Sequence, residues 1–218
     1  MRAAIAILAL ALVAPAQQKP ATPPVAPAPA QAQTPRAKYD ALVQRLRSGD
    51  QTVDLNELRM AAGEAGVESD PAARDRLFDA ANHEDYKKME EAATQVLASN
   101  YADLDGHFFA KQAARELGRP EQVDFHDWVL RGLIGSLRSS GDGETPETAV
   151  HVISVDEEYF ILHMLNQEPK QQALGTCAGH PCDVMTTSDN ETHEEHKLYF
   201  DVSIPMARMQ KALGEKKK

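Results

Sequence analysis

Residues 140–159 read SGDGETPETAVHVISVDEEY, and the fold class turns on this stretch. Ser140, Gly141, Asp142 and Gly143 end a long helical pattern with two glycines, which tolerate positive φ. Ala149 to Ile153 is short and rich in β-branched residues, which predicts a strand. Ser154 to Glu157 has capping-box spacing, with Ser at the N-cap and Glu three residues on. A helix is expected from there through Tyr159, Phe160, Leu162, Met164 and Leu165. Asp156, Glu157 and Glu158 favour the positive end of such a helix. A calcium loop would need oxygen ligands at alternating positions over about a dozen residues. Asp142, Glu144 and Thr145 are too few, so the glycines read as a turn. The stretch is a joint between two kinds of sequence.

Upstream of the joint the apolar residues recur at helical spacing. Folded sequence is expected from Ala37, with Tyr39, Leu42, Val43 and Leu46 on one face before Ser48-Gly49-Asp50. A second helix covers about Asp54 to Ala65, with Leu55 and Leu58 inward and Gly63 and Gly66 closing it. Asp70-Pro71 is an N-cap followed by a first-turn proline, which starts a helix to Ala81. Longer helices follow over Asp85 to Ser99, Leu104 to Leu117 and Glu121 to Ser139. Their inward residues include Met89, Val96, Phe108, Ala113 and Leu117, then Trp128, Leu130 and Leu133. His83, His107 and His126 lie on these helices without a second ligand at fixed spacing, so they read as surface or core residues.

Tyr86, Met89, Leu97, Phe108, Ala110, Ala113, Leu117-Gly118 and Val123 together resemble tetratricopeptide-type helical hairpins. The interval from Tyr86 to Pro120 equals the repeat length of about 34 residues. The likeness covers about one and a half repeats, and a continuous groove needs about three.

Downstream of the joint the pattern is mixed. Gln171 to Thr176, Pro181 to Thr187 and His196 to Ser203 read as strands, the last two as an antiparallel hairpin around a polar loop. Pro205 to Leu213 reads as a closing helix with Met206, Met209 and Leu213 inward. The fold class is therefore α+β and mainly α: helical hairpins over 37–140, then a small antiparallel-sheet-plus-helix region over 141–213 packed on them. Cys177 and Cys182 are the only cysteines, and their spacing suits a disulfide that pins a turn. Zinc would recruit His180, Cys182, His193 and His196. His193 and His196 have two residues between them where a zinc-protease helix places three, and no metal or other cofactor is expected.

The ends of the chain say where the protein acts. Met1 to Ala16 has a basic start, an apolar run too short to span a bilayer, and Ala14-Pro15-Ala16 at a cleavage position. It reads as a secretory signal, giving a periplasmic or secreted protein without stable membrane insertion after cleavage. Residues 17–36, rich in Pro, Ala and Gln, read as a disordered linker. Residues 214–218 are a short basic tail. The 218 residues carry a formal net charge of −10, which opposes nucleic-acid binding.

Val53-Asp54-Leu55, Leu58-Arg59, Leu104 to Phe108, Leu117-Gly118, the joint, Gln171-Gln172 and Cys182 to Met185 carry a second resemblance. They resemble an exported bacterial domain-of-unknown-function family, numbered four-nine-one-nine, over about Ala37 to Ala212. Met60-Ala61-Ala62 departs from it, because an aromatic is usual there. The resemblance implies export and an α+β domain, and implies no activity.

Functionally, the sequence favours an exported accessory protein whose helical region contacts a protein or peptide. The alternative is an envelope hydrolase with an acidic and histidine site at the joint, built from Asp142, Glu157, Glu158 and His126 or His163. Glu157 and Glu158 are adjacent and point about 100° apart on a helix, which weakens that alternative. A purely structural envelope component is the third reading.

Overall fold

Five acceptor side chains start the first five helices. The computed structural model describes residues 33–215. Thr34 caps α1 (Pro35–Arg47), Asp54 caps α2 (Leu55–Ala65) and Asp70 caps α3 (Pro71–Asn82). Asp85 caps α4 (Tyr86–Ser99) and Asp103 caps α5 (Leu104–Glu116). Each accepts a first-turn N–H that has no partner inside the helix. α6 (Pro120–Ser140) starts on a proline, which needs no such partner. The expected signal segment, most of the linker and Lys216–Lys218 lie outside the described residues.

The chain then turns through a short 3₁₀ segment (Pro146–Thr148) into β1 (Val150–His151) and α7 (Val155–Met164). Strands β2 (Gln167–Cys177), β3 (His180–Asp189) and β4 (Glu195–Asp201) follow, and α8 (Ser203–Glu215) closes the chain. The sheet order is β1-β4-β3-β2. β2–β3 and β3–β4 are antiparallel, as the alternating pattern requires. β1 lies parallel to β4, with Val150 opposite Phe200 and His151 opposite Asp201, so the sheet is mixed rather than purely antiparallel. A two-residue strand is too short for its direction to be read from sequence. The fold is α+β and mainly α.

Two apolar clusters form. Ala73 and Leu77 of α3, Met89 and Val96 of α4, and Phe109 and Ala113 of α5 make one. The larger joins Leu46, Leu58 and Leu133 of α1, α2 and α6 to Val152, Phe160, Met185 and Phe200 around the sheet. Burying a Leu or Phe side chain stabilises by about 1.5–3 kcal/mol, so these contacts bind the joint to the helices. Gly63 permits the approach: a Cβ there would lie 2.6 Å from Cγ2 of Ile153.

Four local expectations change. Ser154 makes no side-chain cap, and Glu157 reaches past it to accept the Ile153 N–H at 2.9 Å, so the capping box does not form. Phe108 is half-buried and Phe109 takes the deeper position. Leu117 and Trp128 are also only half-buried. Met209 and Leu213 are exposed rather than inward, because α8 rests on the fold's edge and only the Ile204 and Met206 end packs on the core.

Candidate functional site

Four helices present one helical stripe each to a common cleft of about 1320 Å³. α3 contributes Pro71, Arg74, Asp75 and Phe78; α5 contributes Asp105, Phe108, Phe109 and Gln112. α7 contributes Val155, Asp156, Tyr159, Phe160 and His163; α8 contributes Pro205, Arg208, Met209 and Ala212. Steps of three and four residues put each set on one face. Phe78, Val155, Tyr159 and Met209 are four of the eight large apolar side chains exposed among the described residues, and all four line this cleft. The walls carry paired aromatic rings: Phe78 and Phe109 meet edge to face at 5.5 Å, as do Phe108 and Phe160 at 6.4 Å.

One wall is charged. The Arg74 guanidinium donates to Asp103 at 2.6 Å and to Asp105 at 2.7 Å, and Asp156 lies 3.5 Å away. It also faces the Phe78 ring at 5.4 Å. Asp103 is fixed first as the α5 cap, taking the Gly106 N–H at 2.7 Å, and the Ser69 hydroxyl donates to its other oxygen. Burial pushes the Asp105 carboxyl up to about 6, against the pull of Arg74, with Asp103 and Asp156 adding to the rise. Burial raises Asp156 too. Burial opposes the Arg74 charge, but the three aspartates outweigh it and hold the guanidinium protonated. One cation thus faces three carboxylates.

Of the residues named for the hydrolase alternative, His163 lies in the cleft, its ring 6.1 Å from Phe108. The others lie elsewhere. Asp142 organises the joint loop, accepting the Glu144 N–H at 3.0 Å and the Thr148 hydroxyl at 2.5 Å; that hydroxyl above all lowers its pKa. Glu157 is bound to Arg59 in the interior. Glu158 is fully buried, and neither carboxyl oxygen has a partner among the described residues. Burial, then Asp183 and Glu157, push it up to about 8, so it is neutral at pH 7.

His126 is not isolated. Its Nδ1 lies 3.0 Å from Nδ1 of His107, whose Nε2 lies 3.0 Å from the Tyr101 carbonyl. The carbonyl only accepts, so Nε2 of His107 carries the proton and its Nδ1 accepts from His126. Burial lowers His126 to about 4; burial and then His126 lower His107 to about 3. Both rings are neutral, and they are 19 residues apart in sequence.

Cys177 and Cys182 are joined in a disulfide, so the Cys182 sulfur is not a free thiolate for zinc. His180 opens β3, His193 sits in the β3–β4 turn with φ of 59°, and His196 lies on β4. Sequence reasoning missed Arg74, Asp103 and Asp105. Each reads as an ordinary helix-end or helix-surface charge, and only the packing of α3 on α5 and α7 gathers them. The one usable signal was Arg74 and Phe78 at i and i+4, a charge and an aromatic on a single face.

A protein family described as a domain of unknown function, DUF4919, matches residues 67–211. The match starts after α2 and takes in the cleft-lining stretches of all four helices except Ala212; it is narrower than the 37–212 resemblance and omits Leu58-Arg59. No curated protein and no solved structure matches the chain, so the tetratricopeptide likeness rests on residue spacing alone.

Proposed function

The chain belongs to the domain-of-unknown-function family DUF4919, and we propose that it is an exported accessory protein that binds a segment of another protein in the cleft between α3, α5, α7 and α8. One observation carries this reading: half of the large apolar side chains left exposed among the described residues converge on that cleft. Exposed apolar surface gathered in one concavity marks a binding site more than scattered exposure does. The helical half supplies two of the four walls, so the helical region takes part in contact, with the joint helix opposite. The Cys177–Cys182 bond and the apolar run at residues 3–13 support export to an oxidising compartment.

The test has two parts. Fractionation of the native host with an antibody to the mature chain reads its compartment; recovery in the cytoplasm alone removes the export reading. Affinity purification from the cell envelope is then run with the wild type and with a Phe78→Ser/Tyr159→Ser variant. Phe78 and Tyr159 are 39% and 47% exposed, and circular dichroism checks that the variant keeps the fold. A partner held by the wild type and lost by the variant is the expected result; equal recovery by both removes the cleft as the contact surface.

A further inference from the structure

We propose that the occupant of the cleft is an extended peptide segment carrying a lysine or arginine beside apolar residues, its cation against Asp156 and Asp75 and its apolar side chains against Phe78, Tyr159 and Met209. This rests on the reading that the cleft is the ligand surface, and adds the ligand's chemistry.

Size sets the first limit. At about 1320 Å³ the cleft exceeds the roughly 300–1,000 Å³ usual for small-molecule sites. It is open along four helices rather than closed into a chamber, which suits a chain more than a compact metabolite.

Charge sets the second. Glu68, Asp75, Asp105 and Asp156 line the cleft against Arg74 and Arg208. Both arginines already have carboxylate partners. Arg74 is held by Asp103, Asp105 and Asp156, and Arg208 by Glu68, with the Ile153 carbonyl at 3.5 Å. Two carboxylates remain without full compensation. Asp75 forms no ion pair among the described residues, and Asp156 is half-exposed and touched by Arg74 only at 3.5 Å. Burial first, and then the neighbouring carboxylates, raise the Asp105 and Asp156 carboxyls against the pull of Arg74. A cationic side chain supplies what is missing.

Aromatic surface sets the third. The Phe78 ring already faces one guanidinium at 5.4 Å, and the Phe108 ring faces Lys111 Nζ at 5.9 Å. These walls attract cations as well as apolar groups. The exposed Tyr159 ring lies three residues from Asp156, so both stand on one face of α7. A lysine or arginine stem can lie along the ring while its head meets the carboxylate. The net charge of −10 further favours approach of basic segments.

The test uses three fluorescein-labelled peptides of alternating Phe and Leu with Lys, acetyl-lysine or Glu, titrated by anisotropy against the mature chain. The lysine peptide is expected to bind at least about tenfold tighter than the acetyl-lysine peptide, the scale of one charge-assisted contact. An Asp75→Asn/Asp156→Asn variant, its folding checked by circular dichroism, is expected to lose that advantage and still bind the acetyl-lysine peptide. Equal binding of lysine and acetyl-lysine peptides, or preference for the Glu peptide, overturns the cationic ligand and leaves the cleft as a binding surface. Binding of none of the three overturns both. An advantage of the lysine peptide that survives in the variant overturns the assignment to Asp75 and Asp156.

Discussion

Arg59 on α2 and Glu157 on α7 grip each other in the interior, Nε to Oε1 and Nη2 to Oε2 both at 2.7 Å, across 98 residues of sequence. Arg59 is 1% exposed, and it also donates to the Ser136 hydroxyl at 3.2 Å and to the His151 carbonyl. One guanidinium thus ties α2 to α6, β1 and α7. Two motifs that carried the family resemblance, Leu58-Arg59 and the joint, meet here.

Removing one partner leaves a buried charge. Arg59→Met is expected to cost about 3–5 kcal/mol, whereas Arg59→Met with Glu157→Met recovers most of that loss by replacing both charges with apolar groups of similar length. Urea unfolding of the two variants checks it. Equal losses in the single and double variants would mean that the bonds to Ser136 and His151, not the ion pair, set the energy.

Glu158 shapes the alkaline side of the stability curve. Its carboxyl is held near pH 8 in the fold, against an ordinary value of 4.5. Between these values the folded state keeps a proton that the unfolded state has lost, so stability falls as pH rises from about 4.5 to about 8. Glu158→Met removes both the titration and the two unpartnered oxygens. It is expected to stabilise by about 1–3 kcal/mol at pH 8 and by less at pH 5. Denaturant midpoints across that range decide it; a gain independent of pH would mean that Glu158 does not titrate there.

The His107–His126 pair shapes the acid side with the opposite sign. Both folded values are depressed, to about 3 and about 4 from 6.5, so their contribution is complete above pH 6.5. It is lost as pH falls below 6.5 toward 3, because the unfolded chain binds up to two more protons. A His107→Leu/His126→Leu variant is expected to flatten stability over this interval. The readout is the slope of unfolding free energy against pH, and an unchanged slope would assign the acid limb to the carboxylates.

Cys177 and Cys182 close a loop with a sequence separation of 5 residues. Restricting so short a loop is worth about 2 kcal/mol in the chain-entropy model. Reduction is expected to lower Tm by about 4–8 °C without unfolding the domain. Calorimetry with and without reductant tests this; collapse of the transition on reduction would make the bond essential to the fold.

The fold was legible where its cause is local. Asp54, Asp70 and Asp85 mark helix starts because a short carboxylate can satisfy first-turn N–H groups, whatever lies elsewhere. Leu42, Leu46 and Leu58 are inward because helical period alone assigns them a face. Ser154 and Glu157 misled for the same reason: the spacing of a capping box is local, but Glu157 is claimed by Arg59 from another helix. A buried guanidinium outbids a weak local cap.

Sequence by itself determined most helix starts, most inward faces of the first six helices, the β3–β4 pairing and the nearness of the two cysteines. These depend on period, turn chemistry and short loops, which act over a few residues. Tertiary structure alone decided that Arg74 meets Asp103, Asp105 and Asp156, that His107 shares a proton with His126, and that Phe78, Tyr159 and Met209 face one space. Those relations depend on how α3, α5, α7 and α8 pack. That packing is set by the summed burial of many side chains, so no local pattern encodes which surface residues it gathers.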